Sequence, residues 1–441
     1  MTDAAGAPPV KRSAARADID RVKARGRQRL RMLPGETVLW ASIAYAATLW
    51  MLWNWPWNVQ QNDYGTEAAP ALTALLHGHV GAFLQLAPSY GSSLAMRAPF
   101  ALPGSLAGAG PLLIYRLSAL PCLLALSALG VWLAGELRRR GGSLLAAAAA
   151  VALCAANPIT YKALGFGHPE ELLGSALCAI AVLAALRGRT NWAALALGLA
   201  VANKQWALLA VGPVLLALPA HRWRALIIAG AVAGAFELPI LLSSPNVTAG
   251  TNRLVVSDTG NIFHPWQVFW FFGTHLHGVP AAAGPIPHEY RLPPSWIGGR
   301  AHLVIVWLGL PLTWLAAHRR VPREHALLLL AFLMLLRSWL DPWDVVYYLL
   351  PFIVALLAWE AAIARRVPVG AAVSTGLTWL VFQYLQGRVS MDANAIAYLI
   401  PATLGLVALA TVIYRPRPLP ARAALALSRA RALSRARAVP S

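Results

Sequence analysis

Four short segments of this 441-residue chain carry side chains that could move a proton and hold an anion. Gln60-Gln-Asn-Asp-Tyr-Gly-Thr-Glu67 supplies Asp63 and Glu67. Asn157-Pro-Ile-Thr-Tyr-Lys-Ala-Leu-Gly-Phe-Gly-His-Pro-Glu-Glu171 supplies His168, Glu170 and Glu171. Asn203-Lys-Gln-Trp206 supplies Lys204, and Arg337-Ser-Trp-Leu-Asp-Pro-Trp-Asp344 supplies Arg337, Asp341 and Asp344, with Tyr347 and Tyr348 just beyond. A carboxylate near an aqueous surface can act as a general base toward a hydroxyl. A Lys and an Arg at the same level can neutralise a phosphate, and a His can serve as base or donor. Trp and Tyr faces suit stacking against sugars or the isoprene units of a lipid. A fifth segment, Asn261-Ile-Phe-His-Pro-Trp-Gln-Val-Phe-Trp-Phe-Phe-Gly, adds His264 among aromatics that suit a headgroup layer. Together the set suits transfer of a sugar from a lipid phosphate to an acceptor.

Each residue also has a structural alternative. Asp63 could cap the helix that follows it. Lys204 could snorkel to headgroups, and His168 could simply open a helix whose N-terminus favours Glu170 and Glu171. Asp341 and Asp344 could cap the next span with Arg337 as their partner. Other chemistry has no motif: there is no GxxxxGK[ST], HExxH or GxSxG, and no clear GxGxxG after a strand. Cys122, Cys154 and Cys178 lie in apolar runs without CxxC spacing and read as small buried hydrophobes. No metal or cofactor follows from these residues. Asn246-Val-Thr248 fits a glycosylation sequon, a triplet short enough to arise by chance.

The elements that must position these groups are membrane helices. The chain is 58% hydrophobic and only 12% charged, with 18 Trp, far from the balance of a soluble domain. After a basic arm at 1–36, too long and too charged for a cleavable signal peptide, a first span is expected at 37–55. Further apolar runs fall at 112–135, 143–160, 171–186, 190–203, 205–219, 224–242, 301–317, 325–340, 345–363, 369–386 and 395–414. The expected fold is all-α and polytopic, with about twelve helices. The short pair at 190–203 and 205–219 could instead be a re-entrant hairpin.

Orientation follows from Lys and Arg in short loops, which mark the cytoplasm. With the N-terminus inside, Arg138–Arg140, Arg187–Arg189, Arg222–Arg224, Arg319–Arg323, Arg365–Arg366 and the Arg-rich tail 415–441 all fall inside. The net charge of +20 is therefore read as a topology signal. Nucleic acid is excluded as a partner because this charge is spread over loops and tails rather than one basic face. The transmembrane domain at 37–414 carries two long external segments, about 58–110 and 244–300. In the first, Glu67–Leu76 and Val80–Leu86 are expected as short interfacial helices. The four polar segments are expected at one height on that external face.

A long hydrophobic first helix, an Asp early in a large first external loop and a second large external loop resemble the GT-C superfamily of polytopic glycosyltransferases. More specifically, Gly167-His-Pro-Glu170 through Leu197-Gly-Leu-Ala-Val-Ala-Asn-Lys-Gln-Trp-Ala207 resembles the pattern of glycosyltransferase family 87. Asp341-Pro-Trp-Asp-Val-Val-Tyr-Tyr348 followed by Pro351 does the same. That family includes polyprenyl-phosphate-mannose-dependent mannosyltransferases of bacterial envelopes. The resemblance implies a GT-C-like fold, a catalytic acid at Asp63 and an active-site location for Lys204 and His168. It also implies a polyprenyl-phosphate sugar donor, a glycolipid or glycan acceptor, and a multi-pass protein of the plasma membrane. Asp63 has Asn62 and Tyr64 as neighbours and Glu67 as its nearest second acid, a departure from the paired-acid form of several GT-C groups. Glu67, His168, Glu170, Lys204, Arg337, Asp341, Asp344 and His264 are expected to bind substrate. A transporter or flippase of a lipid-linked or small anionic substrate is the rival reading, and Lys204 beside a short helical pair is the one feature that fits it.

Overall fold

The computed structural model describes residues 34–54, 62–243, 263–275, 291–297 and 301–415. Most of the basic arm, the C-terminal tail, the sequon and most of the second external segment lie outside these residues. Among the described residues the architecture is helical, with one antiparallel pair of two-residue strands.

The apolar runs become helices with recognisable ends. The first, α1, is Pro34–Asn54. The first long loop is itself helical: a π-turn at Tyr64–Ala68 leads into α2 (Ala69–Leu76), α3 (Val80–Leu86) and α4 (Gly91–Leu106). The two short helices expected there are present, and α4 is an addition. α5 (Pro111–Arg139) starts with Pro at its first position, where a missing N–H costs nothing, and ends on basic residues that suit a helix C-terminus. Ser143 caps α6 (Leu144–Ala155) by accepting from the Ala146 amide. Asn157 does the same for α7 (Pro158–Phe166). Then follow α8 (Glu170–Leu186), α9 (Thr190–Asn203), a 3₁₀ turn at Gln205–Ala210, α10 (Val211–Ala217) and α11 (Arg222–Ser243). The C-terminal part holds α12 (Ala301–His318), α13 (Ala326–Leu340), α14 (Leu350–Trp359), α15 (Val369–Trp379) and α16 (Met391–Tyr414).

Among the described residues, five helical stretches are long and apolar enough to cross a membrane: Pro111–Arg139, Leu144–Phe166, Arg222–Ser243, Val346–Ala364 and Met391–Tyr414. About twelve spans were expected from hydropathy, and several of those runs fold as shorter helices. α9 has 14 residues, about 21 Å at 1.5 Å each, against a hydrocarbon core of about 30 Å. The outward-facing surfaces of α11 and α16 are apolar. Trp223, Ile227 and Leu242 of α11 are exposed, as are Ile400 and Leu404 of α16.

The basic helix ends gather at one end of the bundle. Arg138 pairs with Glu36, Arg187 with Glu136, and Arg140 donates to the Ala362 carbonyl. Arg323 donates to the carbonyls of Ala185, Leu186 and Ala217, and Arg319 to that of Tyr414. The described part of the second long loop docks on α16. There Thr274 and His275 pair with Leu292 and Arg291, and Arg291 grips Asp392 at 2.9 Å while Trp270 donates to the same carboxylate at 2.7 Å.

Candidate active site

The site is built where three helix junctions meet. Gly167 ends α7 at φ +96°, a conformation glycine adopts without steric cost. Its bare Cα also lets the π-turn after Asp63 press in, for a Cβ there would lie 3.0 Å from the Tyr64 Cβ and closer still to the Tyr64 amide. Asn62 reinforces the seam by accepting from the Gly65 amide and donating to the Gly165 carbonyl. His168 is thereby set opposite Asp63.

From there an unbroken chain of charged contacts runs inward. His168 Nε2 lies 2.9 Å from Asp63 Oδ2, and its Nδ1 lies 2.7 Å from Glu170 Oε1. The same Glu170 oxygen accepts from Lys204 Nζ at 3.0 Å, and Lys204 also lies 3.3 Å from Glu171. Asp63 is the open end, with its side chain 45% exposed, while Glu170 at the centre is fully buried. Burial alone pushes the His168 imidazole down and Lys204 adds to that, but Glu170 and Asp63 outweigh both and hold it up at about 9. At neutral pH His168 is thus an imidazolium donating to both carboxylates, which fixes the Asp63 side chain by a charge-assisted hydrogen bond.

Lys204 reaches this position because α9 stops one residue before it. Its backbone is extended, at φ −159° and ψ 130°, before the 3₁₀ turn resumes. Asn203 fastens the break by donating to the Glu170 carbonyl at 2.8 Å and accepting from Ser93 at 2.8 Å. Gly174 makes room, since a Cβ there would stand 3.0 Å from both the Asn203 amide and the Trp206 ring. The Lys204 ammonium sits 4.7 Å from the centroid of the Tyr90 ring, and the Tyr90 hydroxyl donates to Glu67 at 2.7 Å. Glu67 therefore joins the site through Tyr90 rather than by touching Asp63.

The fourth polar segment forms the adjacent wall. The Tyr347 ring lies 5.1 Å from the His168 ring. Arg337 is buried between Trp206 and Tyr348, 5.1 and 4.2 Å from their centroids, and its Nη1 has no hydrogen-bond partner. Trp206 in turn donates to Glu171 at 3.2 Å. Asp341 and Asp344 lie behind this wall. Asp341 Oδ1 accepts from the Trp343 amide, and Asp344 accepts from Ser338. Burial pushes the Asp344 carboxyl well above the usual carboxylate range. His264 packs on the same turn, its ring 5.4 Å from those of Trp266 and Trp343, and burial pushes it down to about 4. It lies on that turn, and its ring contacts are with Trp266 and Trp343 rather than with the Asp63–Lys204 chain.

Two members of the site were not singled out by sequence reasoning. Arg97 of α4 is buried and meets Glu170 at 3.5 Å, with its own Nη1 unpartnered. It is the one Lys or Arg between Arg31 and Arg116, and that isolation was the available signal. Tyr90 carried no comparable mark. Among the described residues no group of three or more His, Cys, Asp and Glu is arranged to hold a metal ion.

A helical membrane protein with a half-open carboxylate at the end of a buried ionic chain is a setting for acid–base chemistry on a polar substrate. Residues 92–340 match the family model of glycosyltransferase family 87, more than half of the chain, and the protein belongs to that family. The matched stretch takes in Arg97, His168, Glu170, Glu171, Lys204 and Arg337, while Asp63 and Glu67 precede it and Asp341 and Asp344 follow it. No curated protein and no solved structure matches the chain. Family membership makes it a glycosyltransferase and sets aside the transporter reading.

Proposed function

We propose that the protein transfers a sugar, mannose or another hexose or pentose, from a polyprenyl-monophosphate donor to a hydroxyl of an envelope glycolipid or glycan. The transfer inverts the anomeric centre and takes place on the external face of the plasma membrane, with both termini cytoplasmic. Asp63 takes the proton of the acceptor hydroxyl as its oxygen attacks the anomeric carbon. The bond from that carbon to the phosphate oxygen breaks, and polyprenyl monophosphate leaves with an added negative charge. The observation that carries this reading is the exposure of Asp63 at the end of a buried ionic chain that holds it in place.

The phosphate needs cations that are not already spent. Lys204 is engaged by Glu170 and Glu171, which leaves it one donor. Arg337 keeps Nη1 unpartnered in a low-dielectric wall, where a leaving phosphate gains most from it. Arg337 is therefore assigned the main share of leaving-group stabilisation, with Lys204 assisting and His168 holding the base. Glu67, Glu170, Asp341, Asp344 and His264 then shape the substrate cleft and its charge rather than reacting. Membrane vesicles supplied with radiolabelled polyprenyl-phosphate mannose and lipid acceptors test this directly. Asp63→Asn is expected to lower transfer by about 10²–10⁴-fold. Near-native transfer by that variant would remove Asp63 from the mechanism.

A further inference from the structure

At the basic end of the bundle the outer face of α5 has a groove on either side of it. One cleft, of about 560 Å³, runs between α5 and α8 with Leu129, Ile180 and Leu183 in its walls. The other, of about 500 Å³, runs between α1 and α5 over Ala41, Ala44 and Leu124. Both are lined by Ala128, Trp132 and Arg139, which share one stripe of α5 and form the ridge between them. The Arg187 guanidinium lies 4.3 Å over the Trp132 ring and fixes that ridge. Trp192, 65% exposed, stands at the mouth of the first cleft, where an indole suits the interface.

The charge above the grooves is unbalanced. Glu136 is one carboxylate met by three guanidiniums, Arg139, Arg140 and Arg187, and Arg189 lines the same cleft beyond them. The Arg139 and Arg187 side chains remain 40% and 30% exposed, with N–H donors to spare. Two apolar grooves under one cationic head match a ligand with two chains and an anionic headgroup.

We propose that this site binds an anionic diacyl phospholipid, its headgroup at Arg139, Arg187 and Arg189 and its chains astride Trp132. On the topology proposed above the lipid belongs to the cytoplasmic leaflet, at the far end of the bundle from Asp63. A polyprenyl phosphate offers one chain for two grooves and is the poorer fit.

Native mass spectrometry of the purified full chain, titrated with phosphatidylglycerol, lysophosphatidylglycerol and phosphatidylcholine, reads the site without reference to glycosyl transfer. Phosphatidylglycerol is expected to bind at least about tenfold more tightly than either of the others. Arg139→Gln combined with Arg189→Gln leaves Arg140 and Arg187 on Glu136, so the fold keeps its local pairing. That variant is expected to lose the preference for phosphatidylglycerol over phosphatidylcholine with an unchanged Tm. The control, Arg222→Gln with Arg224→Gln, removes two exposed charges from another basic helix end and is expected to keep it. Equal loss in both variants would reduce the effect to general surface charge. Equal binding of the lyso and diacyl lipids would overturn the two-groove geometry, and displacement of phosphatidylglycerol by equimolar undecaprenyl phosphate would reassign the site to a polyprenyl lipid.

Discussion

His168 is the residue on which the site turns, because it is hydrogen-bonded to two carboxylates from one ring. Its pKa is raised from 6.5 to about 9, so the folded state binds its proton more tightly than the unfolded chain does. The stabilisation is complete below pH 6.5 and is lost as pH rises through about 9. Thermal melts in detergent between pH 6 and pH 10 should therefore show a falling Tm, by about 3–4 °C. A His168→Asn variant should melt lower throughout and lose most of that slope. A wild-type profile as flat as the variant's would place the imidazole in a different protonation state. The same contact explains why Asp63 does not act as a helix cap. Its carboxyl is turned to His168 and makes no side-chain bond to the turn that follows.

At the scale of elements, the site depends on helices that stop early. α7 ends at Gly167 and α9 ends before Lys204, and each interruption delivers a charged or hydrogen-bonding side chain to Glu170. Gly167→Ala should force both a left-handed backbone at a non-glycine residue and a clash with the Tyr64 backbone. The expected cost is about 1–3 kcal/mol in stability, and transfer should fall at least about tenfold as Asp63 and His168 separate. Gly188→Ala is the matched control, since Gly188 has φ +70° but its nearest neighbour, Pro219, stays 3.8 Å away. If the two variants lose activity equally, the tight seam at Tyr64 has no role of its own. Hydropathy located the stop at Lys204 as the join of a short pair of runs. It did not show that Asn203 clamps the break, because that depends on Ser93 and on a carbonyl of α8.

For the whole molecule, two networks mark the ends of the bundle. Basic residues at the C-terminal ends of α5, α8 and α12 and in the neighbouring loops are cross-linked at one end, and the Asp63–His168–Glu170–Lys204 chain lies among the opposite junctions. Lys and Arg mark the cytoplasmic side, so the transferase site should face outward. The three native cysteines are buried, which leaves a clean background for labelling. His79→Cys, in the exposed turn before α3, should react with a membrane-impermeant maleimide in intact cells. Ala220→Cys, exposed between α10 and α11, should react only after permeabilisation. The reverse pattern would invert the topology and move the site to the cytoplasmic face.

The sequence by itself determined the class of molecule, the place of nearly every helix and the family, because hydropathy, caps and short motifs are local properties of the chain. It also brought Asp63, His168, Glu170 and Lys204 into view, since charged groups stand out in apolar surroundings. Which charge meets which was decided only by the tertiary structure. Asp63 and His168 are 105 positions apart, and Tyr90 reaches Glu67 across 23. No periodicity encodes such pairings. They follow from helix packing that closes several junctions on one point. That packing occupies Lys204 with two glutamates, leaves a guanidinium nitrogen of Arg337 unpartnered, and brings the isolated Arg97 into the core of the site.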